Sequence, residues 1–445
     1  MEKETFYDLN LTKPLFRALD ENDFEYPTTI QEKAFPVIMS GADVVGIAQT
    51  GTGKTMAYLL PLIRLWKYNK DKKPRILVIV PTRELVVQVE EVVKMLTEFM
   101  SFDVVAAYGG ANIKRHRAAI NAGCDMVIAT PGRLLDLGKE GTIKMMGIKK
   151  LVIDEVDEML NLGFRHQLVE VFDLLLDKRQ NLMFSATMTT EVENIIEEYF
   201  VAPRKIEAAP TGTPLENIEQ SGYDVPNFNT KMNLLKNILQ DKEVFQKVLV
   251  FTATKKLANS VFEDLETIFE EEVSIIHSNK SQNYRFRSIN NFKEGKSRVL
   301  IATDIVARGI DVAEVSHVLN FDLPEIPENY MHRIGRTGRA EKDGIAISFI
   351  TPKEKETQQS IEDLMNHKIS MNVMPEEVEI SAILTPDEMP QVKMRNLELR
   401  VSESARTGGA FHEKKDKNKK VNKKVRYESK MKLKYKKPKK RGGKK

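Results

Sequence analysis

The sequence predicts an α/β protein with two doubly wound parallel-sheet domains, a short linker between them and a disordered basic C-terminal tail. Three observations carry that prediction. A chain of 445 residues is long enough for two domains of typical size plus extras. Short Val- and Ile-rich runs alternate with amphipathic segments, and near-continuous apolar strands of this kind belong to parallel sheets covered by helices on both faces. The stretch EAAPTGTPLENIEQSGYDV holds two prolines, two glycines and no helical stripe, and it divides those runs into two sets.

The first set is RILVIVPT (75–82), DMVIATPG (125–132), KLVIDEVD (150–157) and NLMFSAT (181–187), preceded by the run DVVGI. The second is KVLVFTAT (247–254), EVSIIHS (272–278), RVLIATD (298–304), HVLNFD (317–322) and GIAISFIT (344–351). The expected division is an N-terminal domain over 1–207, a linker over 208–222 and a C-terminal domain over 223–372. Residues 373–412 form an extension that packs on the second domain or docks a partner. Residues 413–445 are the tail, with 18 Lys and Arg against 3 acids. That is +15 on the tail and −11 on the body of a chain whose net charge is +4. So little apolar content cannot offset ordering entropy, and the charge reads as a non-specific phosphate tether or as a solubilising tail. Tyr427 and Tyr435 are available to stack on bases.

The single cysteine, Cys124, excludes a disulfide framework within the chain and reads as a buried small residue. The start MEKETFYDLN has no apolar signal core, and no run approaches the ~20 apolar residues of a membrane span. A soluble, cytoplasmic protein with no membrane partner is expected.

Two polar stretches stand at strand ends, where open parallel sheets place their ligands. AQTGTGKT (48–55) follows DVVGI and precedes a helical pattern. Gly51 and Gly53 let the backbone curl so that amide groups, including those of Thr50 and Thr52, face an anion at a helix N-terminus. Lys54 would reach the β- and γ-phosphates, and Thr55 would offer a hydroxyl to magnesium. Ala48 stands where the usual pattern opens with glycine. The second stretch, LVIDEVDEML (151–160), reads by itself as a solvated loop or as hard oxygen ligands for a divalent cation. Beside a phosphate loop the second reading prevails, with Asp154 holding Mg²⁺ through its water shell and Glu155 as general base.

With these residues in place the sequence resembles the DEAD-box ATP-dependent RNA helicases of superfamily two, from about Phe6 to Thr351. FEYPTTIQ is similar to the Q motif, AQTGTGKT to motif I, PTRELVVQ to Ia, YGG to the GG turn, ATPGRL to Ib, DEVD to II and SAT to III. LVFTAT, SQNYR, ATDIVARGID and HRIGRTGR are similar to motifs IV, QxxR, V and VI. The resemblance implies two RecA-like domains and ATP hydrolysis stimulated by RNA. It makes Gln31 the reader of the adenine edge and Phe24 the cover of the ring, with Phe6 at the upstream aromatic position. Arg336 and Arg339 become arginine fingers, His332 a bridge between the domains and Asp311 a ribose ligand. Asp157, Ser185 and Thr187 become the link between hydrolysis and movement.

The RNA set implied is Pro81, Thr82, Arg83, Gly109, Gly110, Thr130, Gly132 and Arg133 in the first domain. In the second it is Thr252, Arg285, Thr303, Asp304 and Arg308. Such hydroxyls, amides and guanidinium forks hold backbone phosphates without reading bases. The chain departs from the family at Val156, for the alanine of DEAD, at Asp23, for a glycine, and at Val86, for an alanine. The expected activity is local separation of short RNA duplexes or remodelling of RNA–protein complexes. The alternatives are an ATP-gated RNA clamp and a DNA translocase, the latter disfavoured by the Q-motif residues and the HRIGRTGR form. A monomer is expected, with ribosomal or messenger-decay complexes as partners.

Overall fold

In the computed structural model the structure describes residues 5–49, 51–207, 217–304, 315–338, 343–386 and 388–389. Seven strands make the first sheet: β1 (Val44–Ile47), β2 (Ile76–Ile79), β3 (Val104–Ala107), β4 (Met126–Ala129), β5 (Lys150–Asp154), β6 (Gln180–Ser185) and β7 (Arg204–Glu207). Seven make the second: β8 (Ile218–Asp224), β9 (Val248–Thr252), β10 (Val273–Ile276), β11 (Val299–Thr303), β12 (His317–Asn320), β13 (Gly344–Ile350) and β14 (Ser370–Asn372). Their spatial orders are β3-β4-β2-β5-β6-β1-β7 and β10-β11-β9-β12-β13-β8-β14, the same sequence of positions twice. Every pairing is parallel.

The helices of the first half are α1 (Lys13–Asp20), α2 (Thr29–Met39), α3 (Lys54–Leu65), α4 (Arg83–Leu96), α5 (Ile113–Ala122), α6 (Pro131–Lys139), α7 (Val156–Asn161), α8 (Arg165–Leu174) and α9 (Thr190–Tyr199). The second half brings α10 (Phe228–Gln240), α11 (Lys255–Phe269), α12 (Gln282–Lys293) and the helices Pro327–Ile334 and Lys355–Met365. Side-chain alternation explains why strands without polar positions succeed here. Along β2, Ile76 and Val78 enter the core on one face of the sheet, while Leu77 and Ile79 enter the core on the other.

The second-half boundary differs from the sequence expectation. Residues 208–216 lie outside the described residues, and 218–222, placed in the linker, are strand β8, paired with β13 and β14. Its polar residues hid it: Gln220 and Ser221 are buried, and Gln220 accepts a hydrogen bond from Tyr330 at 3.2 Å. In the extension, residues up to 389 lie along α10. Val378 enters the second-domain core, the Asn229 and Asn233 amides donate to the Ile383 and Glu379 carbonyls, both at 2.8 Å, and Glu388 accepts from the Phe228 N–H. The tail from 413 lies outside the described residues. Cys124 is fully buried, and burial pushes its thiol up to about 12.

Candidate functional site

The phosphate loop is built where β1 ends and α3 begins. Gly51 and Gly53 take φ of 85° and 84°, a region that favours glycine, and Gly53 caps α3. The N-terminus of α2 clamps the loop from behind. Thr28 Oγ1 donates to the Thr52 carbonyl at 2.8 Å, and Gln31 Nε2 donates to the Gly53 carbonyl at 3.1 Å. Gln31 Oε1 accepts from the Thr28 N–H at 3.0 Å, closing a capping box. Gln31, expected to read an adenine edge, is therefore first a brace of the loop. A primary amide keeps a second N–H and a second lone pair, so the brace and a base contact are compatible. Phe24 is 41% exposed, as a ring cover must be, whereas Phe6 is 2% exposed and belongs to the core. Thr50 lies outside the described residues.

Lys54 is buried, and among the described residues its Nζ has no hydrogen-bond partner. A desolvated ammonium with no acceptor, at a helix N-terminus beside two glycines, fits a polyphosphate. Asp154, at the end of β5, is also buried; its Oδ2 accepts from Tyr58 at 3.1 Å and its Oδ1 from the Glu155 N–H at 3.0 Å. Burial pushes this carboxyl up to about 6, with Lys54 pulling it down and Glu155 pushing it further up. A carboxylate so short of positive charge, together with the Thr55 hydroxyl, fits a hard divalent cation. Glu155 follows at φ 53°, heading α7.

The third acid joins the two halves. Asp157 Oδ2 accepts from the Thr187 N–H and Oγ1, both at 2.9 Å, and lies 3.9 Å from His332 Nε2 on the helix Pro327–Ile334 of the second domain. A cavity of 350 Å³ opens at this junction between Thr187, Met188, Met331 and His332. Ser185 donates to the Thr187 carbonyl at 2.8 Å, so it shapes the turn without touching Asp157. Arg336 is buried, its Nε donating to the His332 carbonyl at 3.3 Å. Arg339 and Asp311 lie outside the described residues.

Thr82 caps α4 and Thr130 caps α6, behind Pro81 and ahead of Gly132, at strand ends of the first sheet. Arg133 donates to the Ala111 carbonyl at 3.1 and 3.2 Å and meets His116 Nδ1 at 2.7 Å, tying motif Ib to the GG turn. Burial, and then the Arg133 charge, lower the His116 pKa, which suits a neutral acceptor. The Arg83 guanidinium lies so close to Gly110 that a Cβ there would stand 2.2 Å from Nη1. The same guanidinium donates to Gln282 Oε1 of the second domain at 3.2 Å. Gln282 in turn donates to Glu84 Oε1 at 3.2 Å, which also pairs with Arg285 at 3.0 Å. Glu84 and Gln282 were not singled out from the sequence; their role rests on a meeting of side chains about 200 positions apart in the chain.

Two of the residues expected to hold RNA already have partners within the second domain. Thr252 is fully buried, with its hydroxyl turned to the Thr254 carbonyl at 3.4 Å. Asp304 is held by both arms of Arg333, at 2.5 and 2.8 Å, and this pair secures the end of β11 to motif VI. Thr303 is buried at the end of β11, and Arg308 lies outside the described residues.

Residues 28–195 match the DEAD/DEAH box helicase family, and residues 230–341 match the helicase conserved C-terminal domain. The chain is 38% identical over 367 residues to the DEAD-box ATP-dependent RNA helicase CshA of Bacillus subtilis, covering 82% of this chain and 73% of that protein. It is 36% identical to the ATP-dependent RNA helicase RhlB of Pseudomonas syringae pv. tomato, covering 84% of this chain and 96% of that one. The solved structure of S. cerevisiae Dbp5 bound to RNA and ADP BeF3 superposes with a TM-score of 0.75 at 30% identity, covering 83% of this chain and 95% of that one. With two RecA-like domains, a braced phosphate loop and an acid that joins the domains, the chain belongs to the DEAD-box ATP-dependent RNA helicases.

Proposed function

We propose that the protein hydrolyses ATP under the control of RNA and uses the cycle to separate short duplexes locally. The loop amides of Gly51 and Gly53, with the Lys54 ammonium, hold the phosphates. Asp154 and Thr55 are the residues that would hold Mg²⁺, which when bound neutralises charge on the phosphate oxygens. Glu155 accepts the proton of the attacking water, and Arg336 and Arg339 offset the charge that develops on the transferred group. Hydrolysis is thereby conditional on closure, because the acids and the guanidinium groups come from different domains.

RNA lies along the strand ends of both halves, gripped by Thr82, Arg83, Arg133 and Arg285 through its backbone. ATP and RNA each favour the closed arrangement, so each raises affinity for the other. The observation that carries this reading is the Asp157 junction, where the acidic motif meets Thr187 and faces His332 of the other domain.

The test is displacement of a labelled strand from a short RNA duplex, with ATPase measured alongside on RNA and on DNA of the same sequence. Strand release that needs ATP, and stimulation by RNA alone, are the expected outcomes. ATP-dependent retention of RNA without strand release would replace unwinding by clamping, and equal stimulation by DNA would replace RNA specificity by nucleic-acid translocation.

A further inference from the structure

Tyr58 stands one turn beyond Thr55 on α3 and is fully buried. Its ring packs on Phe184, centroid to centroid at 5.3 Å, so a phenylalanine would fill the same space. The hydroxyl does something a phenylalanine cannot. It donates to Asp154 Oδ2 at 3.1 Å, and Asp154 is one of the residues assigned to the cation.

A phenol has a single proton, and here it is given to Asp154. On Asp154, Oδ2 is held by Tyr58 and Oδ1 by the Glu155 N–H, so the plane of the carboxylate is fixed from both sides. Outer partners of this kind orient inner ligands and raise metal affinity.

We propose that Tyr58 is a positioning residue for the divalent cation, holding the Asp154 carboxylate so that it presents its oxygens to that cation. The proposal rests on the nucleotide–Mg²⁺ reading of this loop, and the experiment separates the two. A fluorescent ADP is bound to the full-length protein and to Tyr58→Phe, in EDTA and across a MgCl₂ titration, with thermal unfolding in EDTA as a control on folding.

In the unaltered protein Mg²⁺ should tighten ADP binding. In Tyr58→Phe the midpoint of that Mg²⁺ dependence should rise by about 10-fold, the size expected for loss of an outer hydrogen bond. Its affinity in EDTA should stay where it was. Equal Mg²⁺ midpoints in the two proteins would overturn the proposal while leaving the metal reading intact. A matching loss of ADP affinity in EDTA would also overturn it, by showing a general packing role. No Mg²⁺ effect in the unaltered protein would sink the metal reading itself and this inference with it.

Discussion

Glu155 holds φ 53° and ψ 50°, a left-handed backbone that costs an ordinary L-residue about 1–2 kcal/mol. It persists because the Asp154 carboxylate takes the Glu155 N–H at 3.0 Å and α7 begins at the next residue, with Val156 fully buried beneath it. Strain kept at this point is consistent with a side chain aimed for chemistry. Replacing Glu155 by Gln keeps the shape and removes the base. ATP turnover should fall by about 10²–10⁴-fold, while ATP-dependent retention of RNA on a filter should persist; normal turnover would remove the role of base. Asp23 shows the same geometry for a different reason. The Phe24 N–H bonds the Leu19 carbonyl at 3.0 Å and the Asp23 N–H bonds the Asp20 carbonyl at 3.2 Å, which is a Schellman end to α1. Its left-handed position, φ 57°, is one that glycine fills without strain. Asp23→Gly should therefore stabilise the protein by about 0.5 kcal/mol, relief of strain being partly offset by a freer unfolded chain; a lower melting temperature would contradict this. At this scale the phosphate loop and the acids were legible, because their chemistry is local in sequence. The inward turn of Thr252 and the capture of Asp304 by Arg333 were not, since both depend on which way a side chain faces in a finished core.

Among elements, α4 of the first domain and α12 of the second meet through Arg83, Glu84, Gln282 and Arg285. Glu84 and Arg285 have side chains only 4% and 11% exposed, and burial lowers the Arg285 pKa while Glu84 supports its charge. Removing one partner leaves the other charge buried and unpaired, the costly half of a buried ion pair. Glu84→Ala and Arg285→Ala should each weaken RNA-stimulated ATPase and spare the basal rate, because neither residue touches the phosphate loop. The double variant should lose less than the sum, with a coupling energy of about 0.5–3 kcal/mol from RNA affinity measured in the presence of ATP. Strict additivity would show that the pair does not cooperate in closure. The central strands were readable for the reason that makes them central: β2, β4, β5 and β9 are buried on both faces and need continuous apolar runs. The edge strands β7 and β14 lacked that signal. Three of four residues in β7 and all three in β14 are exposed, so nothing forces an apolar pattern on them.

Across the whole molecule, one strand order is used twice for unlike purposes. After β1 the chain makes a glycine loop that caps α3, whereas at the matching place after β8 it runs through Val225, Pro226 and Asn227, with the Asn227 side chain itself accepting from the Thr230 N–H to start α10. Among the described residues, the glycine loop before α3 has no counterpart at the start of α10, where a side chain caps the helix instead. On the tether reading, the +15 carried by residues 413–445 attracts a polyanion that the −11 of the body would not. Every phosphate of a single strand that a Lys or Arg neutralises adds about 0.7 to the steepness with which log affinity falls against log salt. If even five of the 18 basic residues engage RNA at once, deletion of 413–445 should flatten that slope by about 3–4 and weaken binding most at low salt. Basal ATPase should be retained, because Lys54, Glu155 and Arg336 all lie outside the deleted segment. Binding isotherms on one RNA at several salt concentrations, for the full chain and for the truncation, make the comparison. Superimposable slopes would leave the tail no part in holding RNA, and the motif residues of the two domains would have to account for all of the affinity.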